Sequence, residues 1–261
     1  MIIGMSSACF YPDVRTENSI ELMKTIGFNT GELFLNSISE YEDDFGKLIL
    51  EQELINDFRV NSVHAFSVSF EPYLFDSYKR RRDDCFILFK KICKVARKVG
   101  AHCYTFHGMR YCNMDSINMN MIIDVYDKLT YTAAEYGIKL CQENVFWCMS
   151  NSIEFLYKIK EKCKGPLYFT LDIKQAYKSG KLPDDYIEVM KDQLANFHIN
   201  DRTKNSICLL PGQGNVNYKK IFCKLKEIGY NGIGIIEVYK ENYNEYTELI
   251  KAKKYLDRQK Y

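Results

Sequence analysis

At 261 residues, with 46% hydrophobic and 27% charged positions, the chain is large enough to bury a core, which excludes a small disulfide scaffold, a disordered tail and a fibrous repeat. Its 36 basic and 34 acidic residues leave a net charge of +2, and the one conspicuous basic run is Lys79-Arg80-Arg81-Arg82. A binder of the nucleic-acid backbone would carry a more basic balance, so a small-molecule partner is favoured over nucleic acid.

The periodicity then predicts strands and helices in alternation. A strand over 2–8 is followed by a helix over 19–26 that stops at Gly27, and a strand over 30–35 by a helix over 44–58. The third strand, 62–66, leads to an amphipathic helix over 77–99 stopped at Gly100, and the fourth, 101–106, to a helix over 117–136 stopped at Gly137. Strands over 138–142 and 167–171 precede helices over 152–163 and 184–194. Strands over 196–200 and 232–236 precede helices over 218–228 and 244–256. Eight strand–helix units of about 33 residues have the count and spacing of a (β/α)8 barrel, with a doubly wound sheet as the competitor. With five prolines and no Pro/Gly/Ser-rich linker, a single domain over 1–261 is expected.

The ten cysteines are scattered, with no Cys-x-x-Cys and no zinc-finger spacing. The start, Met1-Ile2-Ile3-Gly4-Met5, lacks a secretory pattern, and no window approaches ~18 apolar residues. A cytoplasmic protein with reduced, mostly buried thiols and no membrane association is the expectation, and a homo-oligomer is compatible with it.

In a parallel barrel the C-terminal strand ends and following loops build the site. His64, His107 and His198 lie at or just beyond such ends, whereas His102 starts its strand and serves as an internal control. Glu32 lies near the end of the second strand and reads as a substrate-facing or loop-holding carboxylate. Glu143, Asp172, His198 and Glu237 fall on four consecutive strands and would converge at the mouth. Such residues are costly to bury alone, and three carboxylates with one imidazole suit one divalent ion, Mn²⁺ or Mg²⁺ before Co²⁺ or Zn²⁺.

Several short segments resemble the xylose isomerase-like TIM barrel superfamily. They are Leu140-Cys141-Gln142-Glu143-Asn144, Leu171-Asp172, His198-Ile199-Asn200-Asp201, Leu210 through Tyr218, and Ile235-Ile236-Glu237. That superfamily includes sugar phosphate isomerases and epimerases, inosose dehydratases, hydroxypyruvate isomerases and the endonuclease IV (AP endonuclease family 2) nucleases. The ketose epimerase pattern implies Glu143, Asp172, His198 and Glu237 as metal ligands, with Glu143 and Glu237 as the acid/base pair acting through an enediolate. Two carboxylates on opposite faces would invert a carbon centre, and one carrying a proton between adjacent carbons would isomerise.

Departures from the pattern narrow this reading. Gln175 stands where epimerases and nucleases have His, Met149 where epimerases place a substrate-binding Glu, and the segment before Gly212-Gln213-Gly214 offers Ser206-Ile207-Cys208 where nucleases have Asp-x-His. An amide is a poor metal ligand, so the three-zinc nuclease remains the alternative, beside a keto-polyol dehydratase or lyase and a non-catalytic sugar-binding barrel. His64, His107 and Gln175 are expected to contact substrate. Trp147 reads as loop packing or a stacking platform, and Asp201 as a support for His198. Arg202, with Lys204, would offer positive charge to an anionic sugar, and Gly212-Gln213-Gly214 is a bend over the mouth.

Overall fold

A computed structural model describes residues 1–259. Eight strands close into a parallel barrel: β1 (Ile2–Ser6), β2 (Thr30–Leu35), β3 (Arg59–Ala65), β4 (Cys103–Phe106), β5 (Lys139–Glu143), β6 (Leu167–Asp172), β7 (Leu194–Ile199) and β10 (Ile233–Ile236). The circle runs in chain order, with β10 hydrogen-bonded to both β7 and β1. After β7, the short strands β8 (Asp201–Arg202) and β9 (Ile207–Leu209) pair as an antiparallel ribbon.

The surrounding helices are α1 (Ser19–Ile26), α2 (Asp43–Asn56), α3 (Lys79–Lys98), α4 (Met119–Glu135), α5 (Ile153–Lys162), α6 (Ile173–Lys178), α7 (Pro183–Met190), α8 (Tyr218–Glu227) and α9 (Tyr246–Gln259). The longer helices turn apolar stripes inward toward strands whose side chains are buried on both faces. On α3 that stripe is Cys85, Phe86, Phe89, Ile92, Cys93 and Ala96. Phe89 stacks on Tyr104 of β4 with ring centroids 5.5 Å apart, and Phe106 meets Tyr126 of α4 edge-on at 6.3 Å. Ring pairs of this kind add about 0.5–1.5 kcal/mol beyond the area they bury.

Most predicted elements shift by a few residues, and three differences have local causes. Residues 7–10 form a 3₁₀ turn rather than extending β1, because the Ser6 side chain accepts from the Ala8 N–H. The short helix α6 begins directly at the end of β6, capped by the Asp172 side chain on the Gln175 N–H. In β2 the pairing with β3 shifts between Gly31 and Glu32, and a Cβ on Gly31 would run into the Met5 carbonyl of β1. This close approach sets the register that turns Glu32 into the barrel.

None of the ten cysteines is in a disulfide, and Cys223 alone among them is exposed. Among the described residues no helix is long and apolar enough to cross a membrane.

One buried carboxylate on the outer layer yields a pH test. Glu53 of α2 accepts from the Val60 N–H at 2.7 Å, its other oxygen has no partner, and burial pushes its pKa from 4.5 to about 7. A raised carboxyl pKa means that the folded state favours the protonated form, so this contribution is present below about 4.5 and lost as pH rises through about 7. Glu53→Gln is therefore expected to match the parent in urea unfolding at pH 4 and to exceed it by about 1 kcal/mol at pH 8. An equal difference at both pH values would remove the titration from the explanation.

Candidate active site

The C-terminal mouth of the barrel holds a cavity of about 420 Å³. His64, His107, Glu143, Lys174, Gln175 and Glu237 line its polar side, and Tyr11, Phe34, Phe66 and Tyr239 form an apolar wall.

Strand register brings the polar side together. Glu143 ends β5, Asp172 ends β6 directly opposite His198 of β7, and Glu237 follows β10 with its N–H on the Ile199 carbonyl. Asn144 locks the ends of β5 and β6 by accepting from the Asp172 N–H at 2.7 Å and donating to the Asp172 carbonyl at 3.0 Å. One ligand-type atom from each of Glu143, Asp172, His198 and Glu237 lies within 4.8 Å of the others, and all four residues are buried.

Beneath them a polar layer fills the barrel. Glu32 accepts from Ser62 of β3 at 2.7 Å, Thr105 of β4 at 3.0 Å and Asn196 of β7 at 3.0 Å. It also lies 3.1 Å from His198 Nε2. Carboxylate oxygens only accept, so Nε2–H donates to Glu32 and the ring presents Nδ1 upward. There Nδ1 faces Glu237 at 3.3 Å, Glu143 at 3.7 Å and Asp172 at 3.8 Å, yet makes no hydrogen bond. Asp172 Oδ1 is occupied by the Gln175 N–H and the Asn200 amide, while Oδ2 is buried without a hydrogen bond.

Positive charge collects wherever this set can reach it. Burial alone would lower the His198 pKa, but Glu32 and Glu237 outweigh it and hold it well above its ordinary value. Burial would raise the Glu237 carboxyl, but His198 and Lys174 outweigh it and hold it far below the usual carboxylate range. Asp172 goes the other way, raised by burial against the pull of Lys174. Two buried atoms without hydrogen bonds, set among three carboxylates, fit a cation better than a hydrogen-bonded core.

A second cluster adjoins the first. His107 Nε2 lies 2.8 Å from Glu143 Oε2 and 2.9 Å from His64 Nε2, and its Nδ1 meets Ser67 Oγ at 2.5 Å. His64 Nδ1 donates to the Ala65 carbonyl at 2.9 Å. The ring is driven up to about 9, because Glu143 and Glu32 outweigh the lowering effect of burial. Glu71, buried and unremarkable in the sequence, holds the turn after β4 by accepting from the His107 and Gly108 N–H groups and from Tyr104 OH.

Five sequence expectations can now be placed. His64, His107 and Gln175 line the cavity, with Gln175 Oε1 also accepting from the Phe146 N–H. Trp147 and Arg202 lie outside its lining. Trp147 packs edge-on to His107 at 5.5 Å, and the β8–β9 ribbon carries the Arg202 guanidinium over the Tyr177 ring at 3.8 Å. Two supporting roles are exchanged. Glu32 is neither substrate-facing nor loop-holding, because the β2 register points it into the barrel, where it supports His198. Asp201 instead clamps the glycine bend, accepting from the Gly212, Gly214 and Val216 N–H groups. His102, the internal control, is exposed. Lys174 is buried against Asp172 and Glu237, and its position in a helix after a strand gave no sign of this.

A closed parallel barrel with acidic and imidazole side chains clustered at its C-terminal mouth defines a class of α/β barrels. Within it, the chain belongs to the xylose isomerase-like TIM barrel family, whose model matches residues 20–259. It is similar to the uncharacterized protein MJ1311 of Methanocaldococcus jannaschii, 31% identical over 137 residues. That match spans 46% of this chain and 46%, about half, of the relative. Among solved structures, a D-tagatose 3-epimerase-like protein superposes with a TM-score of 0.83 at 22% identity, covering 99% of this chain and 97% of its own. D-psicose 3-epimerase from Clostridium cellulolyticum H10 gives 0.81 at 16% identity, covering 100% and 99%. The E. coli 3-keto-D-glucoside 4-epimerase YcjR gives 0.79 at 16%, covering 99% of both. At these identities the likeness is one of fold.

If Glu32 fixes the His198 ring, Glu32→Gln should weaken divalent-cation binding measured by titration calorimetry about 10- to 100-fold while cooperative unfolding persists. Undiminished affinity would deny Glu32 that role.

Proposed function

We propose that this protein is a divalent-metal-dependent sugar isomerase or epimerase, with Glu143 and Glu237 as the acid/base pair and Glu143, Asp172, His198 and Glu237 as the ion's ligands. The observation that carries the reading is the convergence of those four donors from successive barrel strands, with Asp172 Oδ2 and His198 Nδ1 buried without a hydrogen bond. The oxygen-rich donor set favours Mn²⁺ or Mg²⁺. When bound, such an ion stabilises negative charge developing on adjacent substrate oxygens and so acidifies the carbon-bound hydrogen beside them.

The chain's own residues do the rest. Glu237, held ionised beside His198 and Lys174, lines the cavity without a proton of its own and so is free to accept one there. Glu143 is backed by His107, whose Nε2 lies 2.8 Å from its Oε2 and whose Nδ1 meets Ser67, so the carboxylate is held in place beside the cavity. The His64 and Gln175 side chains orient substrate hydroxyls, and the Tyr11, Phe34, Phe66 and Tyr239 wall receives the C–H faces of a sugar. The sugar epimerases among the structural relatives support the substrate class. A return of the proton to the opposite face gives an epimer and a return to the neighbouring carbon an isomer. Loss of a hydroxyl from the same starting step would give a dehydratase.

The three-zinc nuclease reading is disfavoured on particular residues. Gln175 offers an amide, and Ser206, Ile207 and Cys208 stand where two further ligands would be required. Among the described residues the close groups of three or more ligand-type side chains are the cluster above and His64, His107 and Glu143.

Glu237→Gln should reduce turnover of a responsive ketose or keto-sugar about 10²- to 10⁴-fold with the thermal transition retained. In D₂O, the native protein should wash deuterium into the reacting carbon of that substrate. Turnover with neither isotope exchange nor dependence on Glu237 would contradict proton transfer.

A further inference from the structure

Lys174 stands two residues beyond the end of β6, in the first turn of α6, where a lysine ordinarily faces water. Here its side chain is 2% exposed. Its Nζ donates to Glu237 Oε2 at 3.3 Å and lies 3.7 Å from Asp172 Oδ2, with the Tyr239 ring centroid 4.6 Å away. Both carboxylates belong to the four-donor cluster, and Asp172 Oδ2 is the oxygen that has no hydrogen bond.

We propose that Lys174 is a resident counter-cation of this cluster, which holds Asp172 and Glu237 together before a divalent ion arrives and then shares them with the ion, keeping it exchangeable. The inference rests on the metal-site reading above. Its physical basis is charge. Within the ion's own ligand set, Glu143, Asp172 and Glu237 bring three negative charges, and an ion of charge +2 leaves one of them to be met by a neighbouring cation. The ammonium supplies the missing charge at two of the same carboxylates. It also repels the ion across a few ångströms of poorly screened interior. The Tyr239 face gives the ammonium a second contact as the carboxylates turn toward the ion. Lysine is suited to this because a compact charge on a flexible stem can shift without giving up its cavity.

Calorimetric titration of metal-free protein with Mn²⁺ tests this on the native chain, Lys174→Met and Lys174→Arg. Methionine keeps the length and removes the charge, and its variant should bind Mn²⁺ about 10- to 100-fold more tightly. The arginine variant, which keeps the charge, should stay within a few-fold of the native chain. Without metal, Lys174→Met should melt at a lower temperature than the native chain and gain more from saturating Mn²⁺. Unchanged or weaker Mn²⁺ binding by Lys174→Met, with the native chain binding normally, overturns the counter-cation role and leaves the metal site standing. A methionine variant that folds only with Mn²⁺ supports the role, and one that fails to fold even at saturating Mn²⁺ overturns it. If neither the native chain nor the methionine variant binds Mn²⁺, the metal site and this inference fall together.

Discussion

A carboxylate in the middle of a barrel has to be met by donors from the barrel wall, and the site above Glu32 depends on how that demand is satisfied. Ser62, Thr105, Asn196 and His198 supply the donors from three strands. Because the His198 Nε2–H is committed downward, Nδ1 is presented upward at the level of Asp172, its strand neighbour. An apolar filling of this layer would avoid the desolvation of a charge, so the polar layer is a cost to stability that a fixed imidazole explains. The same network ties strands far apart in sequence to one point, since Glu32 and Asn196 are 164 residues apart.

Above that layer the dominant constraint is electrostatic. Carboxylates that would each be raised by burial are brought together, and the groups around them respond by holding positive charge. His198, His64 and Lys174 are all driven toward their charged forms. For Lys174 the carboxylates of Asp172 and Glu237 overcome the lowering effect of complete burial. The apolar wall of Tyr11, Phe34, Phe66 and Tyr239 lines the other side of the cavity, with Tyr11, Phe66 and Tyr239 exposed. Three carboxylates and one imidazole are donor types that cations take, and in such a set selectivity would follow donor hardness and cage size rather than charge alone.

The alternation of strands and helices was legible because parallel-barrel strands are short apolar runs and the helices between them carry a separate period. The four residues Glu143, Asp172, His198 and Glu237 were legible for a related reason, as each interrupts an apolar run at its C-terminal end. What the pattern could not show was depth. Glu32 sits inside the barrel because of a register shift at Gly31, and a period of two cannot register that shift. Asp201 has a strand-end position as well, but the bend at 212–216 folds back onto it and takes its oxygens. Glu71 and Lys174 follow from tertiary packing alone. Arg202 and Trp147 share the loops of the mouth but turn toward Tyr177 and His107.

The proposed function rests on one divalent ion held by four side chains over a carboxylate-anchored histidine. Crystals grown or soaked with Mn²⁺ and measured at a wavelength where manganese scatters anomalously test it directly. One strong anomalous peak is expected, bonded to Glu143, Asp172, His198 Nδ1 and Glu237. No peak among these residues at saturating Mn²⁺, or a lone peak held elsewhere, would contradict it.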